Sequence, residues 1–375
     1  MDVSVVVPIR CEACDGHERL TGALDALRGA GVDVIVADGS PSTTLARHRR
    51  IFAGLRHIPV EPRPGSNGKV AGVHAGVYAA MNERVVLADD DVLYDRATLT
   101  ELSRRLDDAD VVVPQNVFAD PRRWHTIWDT GRILINRAFG HDYGGTMAVR
   151  RSAFVGVGGY DDAALFENLE LVRTIGAGGG RVRWADDLYV PRIPPDVGTF
   201  LRQRVRQAYD DLAQPPRLIA EASILPLSVW LASRHRRAIA ALALGAIASA
   251  EIGRRRAGAR DAFPAIASIV APLWVVERAI CVWLAIGARI FRGGVRYRGG
   301  RLRKAASSRR ALARRGRRLT VPPRASHRTG ASSASDRIDT AARRVAGSRP
   351  AFRARRSPEP GPGRAAARSG TPRWS

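Results

Sequence analysis

With 375 residues and a formal net charge of +24, the chain has room for one large domain with additions, or for two domains. The charge is concentrated at one end. Residues 301–375 carry 21 Lys and Arg against 3 Asp and Glu, whereas the first 300 carry 39 against 33. The basic stretch is rich in Arg, Ala, Ser, Gly and Pro and lacks hydrophobic periodicity, so residues 296–375 read as a disordered tail. Such a tail suits anionic lipid headgroups or, less specifically, nucleic acid. It lacks the interleaved aromatics of a base-stacking surface, so no specific nucleic acid is expected as a partner.

Val3–Ile9 is a β-branched apolar run, the pattern of a strand covered on both faces. The chain opens directly into it, so no signal peptide is expected and the catalytic region is expected in the cytoplasm. Cys11 and Cys14 have C-x-x-C spacing, but no second pair or pair of histidines completes a zinc site, so they read as two loop thiols; Cys281 stands alone. Residues 18–30 predict a helix with Leu20, Leu24 and Leu27 on one face. Val32–Ala37 predicts a second strand stopping at Asp38-Gly39-Ser40, and His57–Val60 a short third. Lys69–Met81 is helical in pattern, and Val85–Ala88 is a strand delivering Asp89, Asp90 and Asp91 to its end.

Alternating strands and helices in short units predict an α/β fold whose mostly parallel sheet has helices on both faces. In such sheets ligands sit beyond the carboxyl ends of the strands, where Asp38 and the aspartate triplet fall. Three adjacent carboxylates repel one another and call for a positive partner, and hard oxygen ligands suit Mg2+ or Mn2+ carried on a diphosphate. The alternative is an acidic turn capping a helix that begins near Arg96.

Beyond residue 215 the character changes to three apolar stretches, Leu218–Ala232, Ala238–Ile252 and Ala265–Ile290, separated by arginine clusters. The first two are short for a span of about 20 residues, and the third carries Glu277 and Arg278 near its middle. The sequence thus divides into a catalytic domain over 1–215, a membrane-associated helical region over 216–295 and the basic tail over 296–375. With both ends expected in the cytoplasm, the second and third stretches predict two spans and the first an interfacial element.

The order of these landmarks resembles the family 2 glycosyltransferases, which have the GT-A (Rossmann-like) fold, and among them the membrane-attached, ceramide glucosyltransferase-like branch. The resemblance rests on Val3-Ser4-Val5-Val6-Val7-Pro8, on Asp38 after the second strand, and on Pro64-Gly65-Ser66-Asn67-Gly68-Lys69. It continues through Asp89-Asp90-Asp91 at the DxD position, Gly144-Gly145-Thr146-Met147, Gly158-Gly159-Tyr160-Asp161, Phe166-Glu167-Asn168-Leu169-Glu170 and Gln203-Arg204-Val205-Arg206-Gln207. Two positions depart from the family pattern: Glu-Asn replaces the commoner Glu-Asp, and Gln207 stands where the QxxRW motif has tryptophan.

The resemblance implies an inverting glycosyltransferase of the EC 2.4 class, moving a sugar from a nucleoside-diphosphate sugar to a hydroxyl acceptor that is lipid-linked or close to a membrane. Pro8, Asp38, Lys69, Asp89 and Asp90 would bind the nucleotide sugar, and Asp91 with Asp89 a divalent metal, Mg2+ or Mn2+. Glu167 would be the general base, with Glu170 as its rival. Arg206 and Gln203 would serve the leaving diphosphate, and Gly144, Gly145 and Glu170 would lie on the acceptor side. His141, Asp142 and Tyr143 are candidates for the acceptor pocket. A sugar-1-phosphate nucleotidyltransferase is a competing reading, but Arg10-Cys11-Glu12-Ala13 fits its Gly-rich signature poorly. A non-enzymatic basic protein binding nucleic acid or membrane leaves the acidic cluster without purpose.

Overall fold

The computed structural model describes residues 1–11, 18–297 and 300–320. Cys14 and residues 321–375 of the expected tail lie outside the described residues. From the N-terminus the elements are β1 (Val3–Ile9), α1 (Glu18–Gly29), β2 (Asp33–Asp38), α2 (Ser42–Ile51), β3 (Arg56–Pro59), α3 (Gly68–Ala79), β4 (Arg84–Ala88) and α4 (Arg96–Arg105). There follow β5 (Val111–Phe118), α5 (Trp124–Phe139), β6 (Thr146–Arg150), α6 (Arg151–Gly156), α7 (Glu167–Ala177), β7 (Val182–Arg192) and α8 (Val197–Tyr209). After a 3-10 turn at Asp210–Ala213 come α9 (Pro215–Arg234), α10 (Arg236–Arg255), α11 (Ile266–Phe291), the short strands β8 (Val295–Tyr297) and β9 (Gly300–Leu302), and α12 (Arg309–Thr320).

Alternation along β1 sends Val3, Val5 and Val7 into one core with Leu24, Leu27, Leu99 and Leu102, and Val6 into another with Val70, Val73, Phe154 and Leu171. Helices therefore cover both faces, as the unbroken apolar run requires. The seven strands lie in the order β3-β2-β1-β4-β6-β5-β7. All neighbours are parallel except β6, which runs antiparallel to both β4 and β5. Strand order reverses between β1 and β4, so the crevice expected of a doubly wound sheet opens beyond Pro8 and Asp89. This is the mostly parallel α/β sheet with helices on both sides that the sequence predicts. The helix foreseen near Arg96 is present too, and its cap is Asp95, whose side chain accepts from the Thr98 amide at 2.7 Å. The aspartate triplet is thereby left free of capping duty.

The three apolar stretches become α9, α10 and α11. Met1–Pro322 form one compact unit, so the stretch expected as a separate membrane region shares it with the sheet. By length and apolarity α11 alone among the described helices is able to cross a bilayer, against the two spans expected. Its small residues Ala267 and Ala271 are buried with Leu134 and Ile133 of α5, and a Cβ on Gly131 would stand 3.1 Å from the Ala271 backbone. The mid-helix charges do not pair with each other. Glu277 accepts a hydrogen bond from the Trp128 indole at 2.6 Å, and Arg278 binds Asp211 at 2.7 Å. Both face inward, and large apolar side chains face outward: Ile266, Ile269, Leu273, Val276, Ile280 and Trp283 are each 46–60% exposed. Their spacing of three and four residues makes one continuous stripe on α11.

The chain is also ordered beyond the expected 296 boundary. β8 and β9 form a hairpin, and residues 303–307 run beside the segment entering α7. The Leu165 and Phe166 amides donate to the Lys304 and Ala305 carbonyls at 2.9 and 2.8 Å. Leu302 and Ala305 are buried with Leu165 and Tyr209. Composition hides this strap, because its apolar anchors are few and widely spaced among arginines.

Candidate active site

Two halves of one cleft meet beyond the strand ends and enclose a cavity of about 310 Å³. The first half is assembled by β1, β4 and the starts of α3 and α7. Asn67 is fully buried and caps α3 by accepting from the Lys69 amide at 3.1 Å. That cap places the helix N-terminus, with Gly68 and Lys69, against the cavity, where backbone N–H groups favour an anion. The Lys69 ammonium lies 2.6 Å from Asp89 and 2.8 Å from Glu167. Burial alone would lower its pKa; the two carboxylates hold it well above the ordinary lysine value. Asp91 is bound by Arg192 from the end of β7, yet its Oδ1 is buried without a partner. Burial raises the Asp91 pKa, Arg192 opposes it, and neighbouring Asp89 adds to the rise. A buried carboxylate oxygen that is under-satisfied and hard to ionise has the chemistry to bind a divalent cation.

Glycine and asparagine shape the same half. A Cβ on Gly145 would collide with the Asp89 carboxylate, and one on Gly144 with the Asn116 side chain. Asn168 donates to the Gly144 carbonyl at 2.6 Å. An aspartate there could only accept, so the Glu-Asn departure has a local cause: the amide tethers the Gly-Gly segment under Asp89.

The second half is built by helices. On α8, Gln203, Arg206 and Gln207 share the face that lines the cavity. The intervening Arg204 turns away to Asp129 at 3.0 Å. On α5, Asp129 and Arg132 pair at 2.9 Å, while Arg132 and Asn136 both donate to Asp142 at 2.6 and 2.7 Å. From α9, Arg217 binds Asp211 at 2.9 Å and Glu221 at 2.8 Å. Arg132, Arg217 and Arg278 thus each have a carboxylate partner. Arg206 differs: among the described residues it has no ion-pair partner, and its guanidinium rests over the Tyr297 ring, 5.0 Å from the centroid. Nearby Asp210 is pushed up to about 8 by burial, with Arg206 opposing and Glu167 and Asp211 adding to the rise.

Of the residues nominated from sequence, Pro8, Lys69, Asp89, Asp90, Asp91, Gly144, Gly145, Glu167, Gln203 and Arg206 line this one cavity, as do Asp142 and Tyr143. Three others do not. Asp38 is fully buried, and one of its carboxylate oxygens accepts from both His48 (2.6 Å) and His57 (2.9 Å). Burial pushes its pKa up, but hydrogen bonds from Ser40, His57 and His48 hold it below the ordinary value. The sealed carboxylate ties β2 to α2 and β3 and presents no face to a base. Glu170 is fully buried, accepts from the Ser307 amide and anchors the C-terminal strap. His141 stacks on Trp184 at 4.2 Å and pairs with Asp186.

Sequence reasoning missed Arg192, Asp129, Arg132, Asp210, Asp211, Arg217, Arg278 and Tyr297, all of which line the cavity. One signal was available. The i, i+3, i+7 spacing of Asp129, Arg132 and Asn136 marks a polar stripe along one face of α5.

Residues 4–158 match the family described as glycosyl transferase family 2. The match covers β1 through α6, somewhat less than half of the chain; α7, α8 and the helical half of the cleft lie beyond it. Among solved structures, the mannosyltransferase PcManGT from Pyrobaculum calidifontis, in complex with GDP-Man and Mn2+, is 19% identical. It superposes with a TM-score of 0.47 over 78% of this chain and 87% of its own. TarS 1–349 of S. aureus in complex with UDP-GlcNAc is 17% identical, with a TM-score of 0.37 over 52% of this chain and 59% of its own. Among curated proteins none matches the chain.

Proposed function

We propose that this protein transfers a sugar, with inversion, from a nucleoside-diphosphate sugar to a hydroxyl acceptor presented at a membrane surface. One observation carries the reading: the cleft holds an unpaired guanidinium on Arg206 and an unsatisfied buried oxygen on Asp91, while every other cationic side chain lining it has an acidic partner. A diphosphate with its metal supplies both missing partners. Asp91 and Asp89 would hold the metal, which would neutralise part of the diphosphate charge as the leaving group departs. Among the described residues no cluster of three or more acidic, His or Cys side chains gathers to hold a metal, so the diphosphate itself would complete the ligand set.

Arg206 would take up charge on the departing phosphate through its paired N–H donors, with Gln203 one turn earlier on the same helix. Glu167 lines the same cavity, and from there it would accept the proton of the attacking hydroxyl. Lys69 bridges Glu167 and Asp89, so the proposed base and the donor site are held at a fixed separation.

The membrane part of the reading is supported by α11, whose inner face joins the cleft through Arg278 and whose outer face is the exposed apolar stripe. An apolar helix face lying in the lipid headgroup boundary would set the cleft beside an embedded acceptor. This favours a peripheral seat for α11 over a crossing, with the sheet on the cytoplasmic side, where sugar nucleotides are found. It is also the arrangement that would place the chain in the ceramide glucosyltransferase-like branch.

The test is a panel of UDP- and GDP-sugars with Mn2+, read as binding and as slow release of nucleoside diphosphate. At least one donor should bind with a dissociation constant in the micromolar range, and chelation should remove the turnover. If no sugar nucleotide binds the full chain, the reading fails.

A further inference from the structure

A half-buried guanidinium with no ion-pair partner among the described residues gains from any other contact that stabilises its charge. For Arg206 that role falls to an aromatic face from the far end of the chain. Tyr297, the last residue of β8, is 9% exposed and lines the cavity beneath the guanidinium. A ring stabilises a cation while leaving its N–H donors and net charge available, which a carboxylate would not.

The same side chain reaches a second part of the donor site. Its hydroxyl donates to Asn67 Oδ1 at 2.8 Å, the atom that also caps the Lys69 amide. Tyr297 therefore joins the α3 N-terminus to Arg206. Its position is fixed from two sides. The Tyr209 hydroxyl, three residues beyond Arg206 on α8, donates to the Arg303 carbonyl at 2.6 Å. Residues 304–305 pair with the segment leading into Glu167, and Val295 and Leu302 are buried beside Leu165 and Ala208.

From this geometry we infer that Tyr297 is a positioning residue for the leaving diphosphate, its ring holding Arg206 aimed at the phosphate while its hydroxyl fixes the opposing helix start. The inference rests on the reading of Arg206 as a diphosphate ligand. It gives the C-terminal hairpin a part in the chemistry, although residue 297 lies well outside the segment that matches the family.

Binding of GDP and UDP in the presence of Mn2+, measured by calorimetry on the full chain, tests it. Four variants are compared: Tyr297→Phe, Tyr297→Leu, Arg206→Ala and Arg206→Ala/Tyr297→Leu. Leucine keeps apolar bulk in the site, so the fold is retained while the π face is lost. Tyr297→Leu should weaken the better-bound nucleotide about tenfold, the usual worth of a buried cation–π contact, and Tyr297→Phe by about threefold or less. With Arg206 already removed, Tyr297→Leu should cost less than about twofold, because coupled residues are non-additive. Additive losses in the double variant, equal losses for Phe and Leu, or no loss for Leu would each overturn the inference. Unchanged binding in Arg206→Ala would instead overturn the diphosphate reading beneath it.

Discussion

The two halves of the cleft use charge in opposite ways. The half at the ends of β1 and β4 leaves charge uncompensated: Asp91 has an orphan oxygen, and Arg206, reaching over from α8, rests over an aromatic ring with no ion-pair partner among the described residues. In the half built by α5, α9 and α11 the cations are matched, with Arg132, Arg217 and Arg278 each bound to carboxylates from a neighbouring helix or turn. Uncompensated charge is a demand for a charged ligand, whereas a neutralised lattice of donors and acceptors suits hydroxyl groups. Removing a residue from the first half should therefore appear in rate, and from the second in stability.

The largest effect is expected at Asp91. Asp91→Ala should lower turnover by more than about 10³-fold while leaving the circular dichroism spectrum and melting temperature near those of the unaltered protein. Metal-independent turnover, or near-full activity in that variant, would break the contrast at its strongest point.

Glu167→Gln is next, with an expected loss of roughly 10²–10⁴-fold in kcat and little change in donor affinity. Glu170→Gln, three residues on and sealed under the strap, should instead lower the melting temperature and leave kcat within a few-fold. If kinetics of the pair show the reverse, the base lies one helical turn further along α7.

The smallest effect concerns Asp210, where the halves meet. Burial raises its folded-state pKa to about 8, above the ordinary carboxylate value, so the protonated form is the stabilising one. Stability is therefore fully present at acid pH and lost as pH rises towards 8. Glu221, raised to about 7 by burial, acts with the same sign. Asp33 and Asp38, held below their ordinary values by hydrogen bonds that outweigh burial, act only at the acid end. Scanning calorimetry between pH 5 and pH 8 should show a falling melting temperature, and Asp210→Asn should reduce that fall by about 2 °C or more. An unchanged slope in the variant would remove Asp210 from the account.

Sequence legibility follows the same division. β1, α1, α3, β4 and the three long C-terminal helices are readable within a residue or three of their ends, because each carries an apolar run or stripe of its own. The DxD aspartates, Glu167 and Arg206 stand out because charge sits at the end of such a run or in a motif. The helical half is opaque for a physical reason: Asp211 takes its meaning from Arg217 and from Arg278, 67 residues away, a grouping that no local pattern announces. Asp38 misleads in the opposite direction. It occupies the expected strand end, but His48 and His57, innocuous in sequence, close over it.

The strap also fixes an order of events. The amide of Leu165 finds its carbonyl partner on Lys304, and Asn67 its tyrosine at 297. During synthesis the sheet and its aspartates leave the ribosome well before either partner exists. The donor site thus stays unfinished until almost all of the described chain has been made. Contacts of such sequence separation are slow to form, because a long loop must close first. In a growing polypeptide the apolar helices α9 to α11 would therefore be translated while the cleft is still open.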